Sequence, residues 1–198
     1  TDYPGIKPVS SVLDYPIEIP EEQVDLCVFM KERFFCTFGD AMRTGLAAAS
    51  EQVELVLTMD ADGSHDPLRI PLLLAEASAA DVVVASRYVS GGSSDNSLVL
   101  RAMSRALNRA YSVVLGIDCR DVSTNFKLFH RRDLVGLTLT CSAFDIVEEL
   151  LFEVARRHGP ELRLIEVPDH FRERLSGESK RQLGPFVAAY LLTLLRLR

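Results

Sequence analysis

The chain has 198 residues, of which 47% are apolar and 25% charged, and its formal net charge is −6. Such a composition is that of one globular domain with a sizeable core, and the negative charge argues against non-specific nucleic-acid binding. Its four cysteines are scattered without a C-x-x-C pair, which excludes a zinc site or a disulfide framework of the usual spacing and favours a reducing, cytoplasmic compartment.

The first 37 residues are rich in proline and predict an irregular arm, with a strand expected over 26–30. No signal-peptide pattern is visible at the N-terminus. Residues 34–50 predict a loop that leads into a helix, whose small residues would allow close approach to a sheet or a ligand.

The stretch from Leu55 to Pro67 carries the most specific pattern in the chain. Its apolar beginning predicts a buried strand, and Asp60 and Asp62 follow where that strand ends. At the carboxyl edge of an open α/β sheet, two carboxylates so close together favour a divalent cation such as Mg²⁺ or Mn²⁺ between them. The alternative is that both are ordinary turn residues.

A helix is expected directly after this motif. Asp66 is a good N-cap residue and Pro67 suits the first helical position. The apolar residues that follow at helical spacing are Ile70, Leu73, Leu74 and Ala77.

Residues 81–88 predict a second buried strand that ends in Arg87. If it lies beside the first strand in a parallel sheet, Arg87 lies near Asp60 and Asp62. The Gly-rich residues 91–96 that follow are either a flexible lid over the site or a solvated loop.

A long helix is predicted over residues 98–115, with Gly116 as its stop. Its expected core face consists of Leu100, Met103, Leu107, Ala110 and Val114. Arg101, Arg105 and Arg109 recur every four residues, either as a solvated stripe or as an anion-binding one.

The last third of the chain predicts alternating elements. These are a polar turn and strand over 121–129, a helix over 143–158 with Phe144, Val147, Leu151 and Val154 inward, a strand over 162–167, a polar loop over 171–180 and an apolar helix over 184–198. Glu148 and Glu149 are expected as surface charge. The final helix is too short and interrupted to span a bilayer, so the chain is not expected to be transmembrane; the helix is either interfacial or part of a core or dimer contact.

Five motifs in order give the chain a family resemblance. Met59–Pro67 matches DAD-x-S-H-x-P, Ser86–Tyr88 with Gly91–Gly92 matches S-R-Y…G-G, Ser104-Arg105 with Asn108 matches S-R-x-x-N, Asp121–Lys127 is similar to D-x-T-S-G-F-R, and Glu166–Pro168 with Arg174 and Gly177–Lys180 matches E-V-P…R…G-E-S-K. Together they resemble the family 2 glycosyltransferases, above all the dolichol- or polyprenol-phosphate mannose synthases.

The resemblance implies an α/β GT-A fold, a Rossmann-like, mostly parallel mixed sheet flanked by helices. The domain would cover residues 1–182, with 1–37 as an unmatched arm and 183–198 as a membrane-interfacial helix. The implied activity is inverting, metal-dependent transfer of a hexose, mannose above others, from GDP-mannose or UDP-glucose to a polyprenyl or dolichyl phosphate. The implied location is the cytoplasmic face of a membrane.

Roles for particular residues also follow from the resemblance. Asp60, Asp62 and Ser64 would hold the metal, and Asp62, Arg87, Arg174 and Lys180 would act in catalysis. Donor and acceptor binding would use Asp60, Ser64, Arg101, Ser104, Arg105 and Ser179. His65 is expected to be a helix-start residue and not a proton shuttle.

Two departures keep other functions open. The family's P-x-Y-N-E and V-D-D-G-S-x-D-x-T motifs have no counterpart upstream of Phe38, so the family's N-terminal strands are expected to be missing, and a non-catalytic domain with an incomplete donor site is an alternative. Asn125 and Lys127 replace the family's usual Gly and Arg. A haloacid-dehalogenase-type phosphatase, with Asp60 as nucleophile and Asp62 as acid–base, is a weaker alternative because no downstream Gly-Asp-x-x-x-Asp motif follows.

Overall fold

The structure is a computed structural model that describes residues 45, 53–60, 63–141 and 145–172. All of them belong to the second of the two units into which the chain divides, residues 37–198. Gly45 is helical, within the helix predicted over 34–50. The predicted arm over 1–37, the predicted strand over 26–30 and the predicted helix over 184–198 lie outside the described residues.

The first strand and the helix after it form where they are predicted, but the strand is only partly buried and not fully buried as expected. Strand β1 is Leu55–Thr58, a 3₁₀ helix covers Pro67–Arg69, and helix α1 is Ile70–Glu76. The Asp66 carboxylate accepts a hydrogen bond of 3.0 Å from the backbone N–H of Leu68, which is the expected N-cap contact. Leu73 is fully buried, whereas Leu74 is 43% exposed because the helix turns it toward solvent.

Among the described residues, β1 and three further strands form one mixed sheet: β2 is Val82–Ser86, β4 is Lys127–His130 and β5 is Leu164–Pro168. Their order across the sheet is β1-β4-β2-β5. Strands β2 and β5 are parallel, and β4 runs antiparallel to both β1 and β2. The expectation that β1 and β2 are direct neighbours is therefore wrong, because β4 lies between them.

Alternate residues of β2 face two different cores, as the two-residue period of a strand requires. Val82 and Val84 pack with side chains from the helices over one face of the sheet, while Val83 and Ala85 pack with Leu73 and neighbouring residues on the other. Since all five β2 residues are buried, this strand is covered on both sides. The apolar run in its sequence has this physical cause.

Helix α2 spans Leu98–Leu115, the predicted bounds, and ends at Gly116 in the left-handed conformation with φ 67°. Its buried positions are Asn108, Tyr111 and Ser112, and Leu107 and Ala110 pack on the core. Leu100 and Val114, predicted to face the core, are 41% and 40% exposed. The helix is rotated away from the predicted face because Asn108 and Ser112 turn inward to form hydrogen bonds.

The remaining elements are short except for one helix. They are strand β3 at Ser93–Ser94, helix α3 at Arg131–Leu134, helix α4 at Ile146–His158, a 3₁₀ helix at Gly159–Glu161 and strand β6 at His170–Phe171. Of the residues predicted to face inward on α4, Val147, Leu151 and Val154 are buried, and Phe144 lies outside the described residues. Glu148 and Glu149 are 0% and 3% exposed, so their assignment to the surface is wrong.

Part of the Gly-rich segment 91–96 forms a β-strand that is paired with another strand. Strand β3 runs parallel to β6, and the N–H of Ser93 donates to the carbonyl of Asp169 at 2.9 Å. A Cβ at Gly92 would lie 2.5 Å from the carbonyl oxygen of Ser86, so the chain can pass so close only with glycine at this position.

An ion pair between residues that directly precede strands β2 and β5 predicts how the stability of the fold depends on pH. The Asp81 carboxylate accepts hydrogen bonds from the Arg163 side chain and backbone, at 2.6–3.2 Å, and these contacts lower the pKa of Asp81 to about 2. Because the pKa of Asp81 is lower in the folded protein than in the unfolded chain, the ionised carboxylate stabilises the fold at pH values above the unfolded-state pKa near 3.8. This stabilisation is lost as the pH falls through about 2.

We therefore expect Asp81→Asn to lower the free energy of unfolding at pH 7 by about 1–2 kcal/mol, allowing for solvent screening of the half-exposed Arg163. Urea denaturation at pH 7, 4 and 3 measures this, and the gap between variant and wild type is expected to narrow below pH 4. Glu161→Gln, an exposed acid-to-amide change, serves as the control. A gap independent of pH would contradict the role assigned to the Asp81 charge.

Candidate functional site

The topology brings four chain segments to one edge of the sheet. Strands β1, β2 and β5 end there, and β4 begins there because it runs in the opposite direction. Polar residues follow or precede each strand at this edge: Asp60, Arg87, Asp169 and the segment 121–125. The carboxyl edge of an α/β sheet is the usual place for a ligand site.

Asp60 lies directly beyond β1, with its side chain 26% exposed. Its Oδ1 accepts a hydrogen bond of 3.1 Å from Asn125 Nδ2, and the hydroxyl of Thr58 donates to the Asn125 carbonyl at 2.7 Å. Asn125 therefore ties the end of β1 to the loop before β4. Ser64 is fully buried, and its carbonyl accepts a hydrogen bond from the Arg172 N–H at 2.9 Å.

His65 lies between two carboxylates at the centre of this edge. It is 3% exposed, its Nε2 lies 3.6 Å from Asp60 Oδ2, and its Nδ1 lies 3.3 Å from Asp169 Oδ2. Burial alone would lower the pKa of His65, but the hydrogen bonds and charges of Asp169 and Asp60 outweigh it and raise that pKa. The two carboxylates therefore favour proton binding by the imidazole more than burial opposes it.

The sequence pattern predicted His65 at a helix start and did not single out Asp169. His65 does immediately precede the N-cap residue Asp66. Its ion-pair partner, however, is 104 residues further along the chain, and no local spacing signals such a pair.

Arg87 is held by Asp121. The guanidinium forms two hydrogen bonds to the Asp121 carboxylate, at 2.6 and 2.8 Å, and the Arg87 N–H adds a third at 2.9 Å. Asp121 is fully buried, and its own N–H donates to the Glu166 carboxylate at 3.1 Å. The sequence pattern did not predict this pair, because the segment that carries Asp121 reaches Arg87 through the intervening strand β4.

Asn108 joins helix α2 to this segment. Its amide nitrogen donates to the Ser123 hydroxyl at 3.0 Å and to the Ser104 carbonyl at 2.9 Å, and its amide oxygen accepts from the Ser123 N–H at 2.8 Å. Arg101 is partly exposed, and Arg105 is exposed with its guanidinium 5.2 Å from the centre of the Tyr88 ring. Of the three residues on α2 that are predicted to bind substrate, Arg101, Ser104 and Arg105, Ser104 alone has a hydrogen bond to Asn108.

Lys127 is buried beneath the loop that carries Asp121 and Asn125. Its ammonium group donates hydrogen bonds to the carbonyls of Val122 and Thr124. Burial lowers the pKa of Lys127, and the charge of the buried Glu148 on α4 opposes that shift. The sequence analysis noted Lys127 as a replacement of the family's arginine but did not predict that it is buried.

Four of the predicted site residues lie outside the described parts of the chain: Asp62, Arg174, Ser179 and Lys180. Within the described parts, no group of three His, Cys, Asp or Glu side chains could hold a metal ion. The partly exposed Asp60 carboxylate does have the oxygen donors that Mg²⁺ and Mn²⁺ prefer. Asp60 thus fits one half of a metal site whose other predicted carboxylate is Asp62.

No helix in the described ranges has both the length and the apolar character that crossing a membrane requires.

The sequence matches the profile described as glycosyl transferase family 2 over residues 14–136. The match begins inside the arm over 1–37, for which the sequence analysis found no counterpart. It extends through β1, β2, α2 and β4, and so covers the edge residues up to the Asp121–Asn125 loop.

Three curated relatives share about a third of their aligned residues with this chain. They are undecaprenyl-phosphate mannosyltransferase of Micrococcus luteus (32% identity, 66% of this chain and 54% of the relative), polyprenol monophosphomannose synthase of Mycolicibacterium smegmatis (33%, 64% and 48%) and dolichol-phosphate mannosyltransferase of Pyrococcus furiosus (32%, 80% and 44%). The chain spans about half the length of these relatives.

Solved structures are similar in fold. A crystal structure of glucosyl-3-phosphoglycerate synthase from Mycobacterium tuberculosis with Mn²⁺ and UDP-glucose has a TM-score of 0.56 and 21% identity, covering 80% of this chain and 53% of that one. The same enzyme with Mg²⁺ and UDP has a TM-score of 0.57 and 21% identity, covering 81% and 54%. This similarity confirms the expected α/β GT-A fold. At 21% identity it is evidence for the fold and not for the activity.

Proposed function

Because this chain belongs to glycosyl transferase family 2, we propose that it transfers a hexose, mannose by its resemblance to its relatives, from a nucleotide sugar to a polyprenyl phosphate. The observation that supports this most is the shared edge of the sheet, where Asp60 and the Arg87–Asp121 pair follow the ends of β1 and β2. Anionic donor and acceptor groups need both a cation site and fixed guanidinium groups.

The reaction we propose is a single displacement at the anomeric carbon. An oxygen of the acceptor phosphate forms the new bond to that carbon as the bond to the nucleoside diphosphate breaks, so the configuration inverts. A phosphate monoester has its second pKa near about 6 and is already largely a dianion at neutral pH. It needs no general base, and His65 is assigned no proton transfer.

Asp60, Asp62 and Ser64 are the residues we propose to hold Mg²⁺ or Mn²⁺, which when bound would neutralise charge on the leaving diphosphate. Asn125 orients the Asp60 carboxylate through its 3.1 Å hydrogen bond. The imidazole of His65 lies between the carboxylates of Asp60 and Asp169, at 3.6 and 3.3 Å, and helps to fix the position of the Asp60 side chain.

The other residues are proposed to bind the two phosphate-bearing substrates. Arg87, Arg101 and Ser104 would position the acceptor phosphate, with Arg87 oriented by Asp121. Arg174, Ser179 and Lys180 would close over the donor diphosphate. Since a polyprenyl chain resides in a membrane, we propose that the reaction takes place at a membrane surface, and the cytoplasmic face remains a prediction.

Donor binding tests this proposal. We expect titration calorimetry of the 198-residue chain with Mn²⁺ to detect binding of GDP-mannose or UDP-glucose, and Asp62→Ala to abolish it because one of two metal-binding carboxylates is gone. Glu161→Gln, an exposed acid beyond the opposite edge of the sheet, is expected to bind as the wild type does.

Failure of both nucleotide sugars to bind the wild type would contradict the proposal and favour a non-catalytic domain with an incomplete donor site. Binding that persists unchanged in Asp62→Ala would remove Asp62 from the metal site. The phosphatase alternative is not proposed, because the family match supports a glycosyltransferase.

A further inference from the structure

Helix α2 has an unusual charge for this protein. It carries Arg101, Arg105 and Arg109 and no acidic residue, in a chain whose net charge is −6. Arg105 and Arg109 are exposed and lie on one face, four residues apart. The face is therefore a local basic surface on an acidic protein.

A cavity of about 360 Å³ lies against this face. The described residues around it include Tyr88, Arg105, Arg109, Asp118 and Arg120. Three of the lining residues are arginines, and one, Asp118, is acidic. A volume of this size is within the range of small-molecule sites.

The walls of the cavity are held in place by contacts on both sides. The Tyr88 ring lies between two guanidinium groups, 5.1 Å from that of Arg87 and 5.2 Å from that of Arg105. The Glu166 carboxylate accepts the Arg120 N–H at 3.0 Å, which fixes the backbone from which the Arg120 side chain extends. Groups that are already ordered lose little entropy when a ligand binds.

We propose that this cavity is a second anion site that binds a phosphate monoester. Guanidinium groups match the oxygens of a phosphate with pairs of parallel hydrogen bonds, and three of them around one cavity favour a doubly charged group. Asp60, His65 and Asp169 are not among the residues that line it, whereas Arg105, which the resemblance implies in substrate binding, is. The test therefore relies on Arg109 and Arg120, to which the proposed transfer reaction assigns no role.

The phosphate monoester can belong to a lipid headgroup or to a soluble molecule. Val113, one turn beyond Arg109 on α2, is 64% exposed and adds an apolar side chain to the same helix surface. Glycerol 3-phosphate and phosphatidic acid carry the same phosphate monoester, one in solution and one in a bilayer. Comparing them therefore separates the two sources.

The test measures binding of both probes to the full chain in the absence of any divalent metal. Glycerol 3-phosphate is titrated by calorimetry, and phosphatidylcholine vesicles with and without phosphatidic acid are used in sedimentation assays. We expect saturable binding to one probe or both, weakened about tenfold by Arg109→Gln and further by Arg109→Gln combined with Arg120→Gln. These changes leave the Arg120 backbone contact to Glu166 intact.

The matched control replaces Arg132 and Arg156 by glutamine, two exposed arginines on α3 and α4 whose loss changes the net charge equally. Binding weakened as much in this control as in the cavity variant would show a non-specific charge effect and overturn the proposal. Absence of binding to both probes would overturn it too. Arg109→Gln alone carries the test if the double variant is less stable.

Discussion

Asp60→Asn is expected to lower the rate of hexose transfer by about two to three orders of magnitude. The substitution keeps the size of the side chain, and its amide oxygen can still accept the hydrogen bond from Asn125 Nδ2. What it removes is one negative charge from a side chain that is 26% exposed at the end of β1. Neutral amides bind Mg²⁺ and Mn²⁺ more weakly than carboxylates do.

The measurement is transfer of labelled mannose from GDP-mannose to a polyprenyl phosphate in detergent micelles, with Mn²⁺ binding followed separately by electron paramagnetic resonance. Glu161→Gln is expected to keep both properties. Because His65 Nε2 lies 3.6 Å from Asp60 Oδ2, thermal unfolding of the variant must also be compared with the wild type. Wild-type Mn²⁺ affinity in Asp60→Asn would contradict the metal role even if transfer were slow.

The largest expected effect on stability comes from Lys127→Met, which should lower the free energy of unfolding by about 3–5 kcal/mol. Lys127 is 1% exposed and Glu148 is fully buried, so removing the ammonium group leaves the charge of Glu148 in the core without this cation. The carbonyls of Val122 and Thr124 also lose their donor. Such a loss is a large fraction of the about 5–15 kcal/mol that stabilises a typical domain.

Combining Lys127→Met with Glu148→Leu is expected to recover much of that loss, because two buried, electrostatically coupled charges and two apolar side chains of similar volume often differ little in stability. Urea denaturation of the two single variants and the double variant measures the coupling. Arg132→Met, an exposed cation in the helix after β4, should cost little. Additive losses in the double variant would mean that Lys127 and Glu148 do not act as a pair.

Several elements were predictable from the sequence because their determinants are local. Helix α2 has its predicted bounds, since an amphipathic run followed by Gly116 needs only nearby residues to start and stop it. The Asp66 cap of the 3₁₀ helix before α1 and the apolar run of β2 are equally local. The motif series also located Asp60 and Arg87 after their strands.

The partners of those residues were not predictable, because each contact joins segments far apart in the chain. The reversed strand β4 separates β1 from β2, and so places Asp121 opposite Arg87 and Asn125 opposite Asp60. The order in which strands pair depends on the packing of the whole sheet, and no periodic pattern in the local sequence specifies that order.

The sequence by itself determined the fold class and the main helix and strands, and it predicts the residues that a metal-dependent transferase would use. Only the tertiary structure decided which charges are buried. His65, Lys127 and Glu148 look like ordinary surface residues in their local sequence, yet all three are buried. Burying a charge costs free energy unless an opposite charge or hydrogen-bonding group meets it. Some of these partners are local, such as Asp60 for His65 and Thr124 for Lys127, but Asp169 lies 104 residues beyond His65, and no local pattern predicts such a contact.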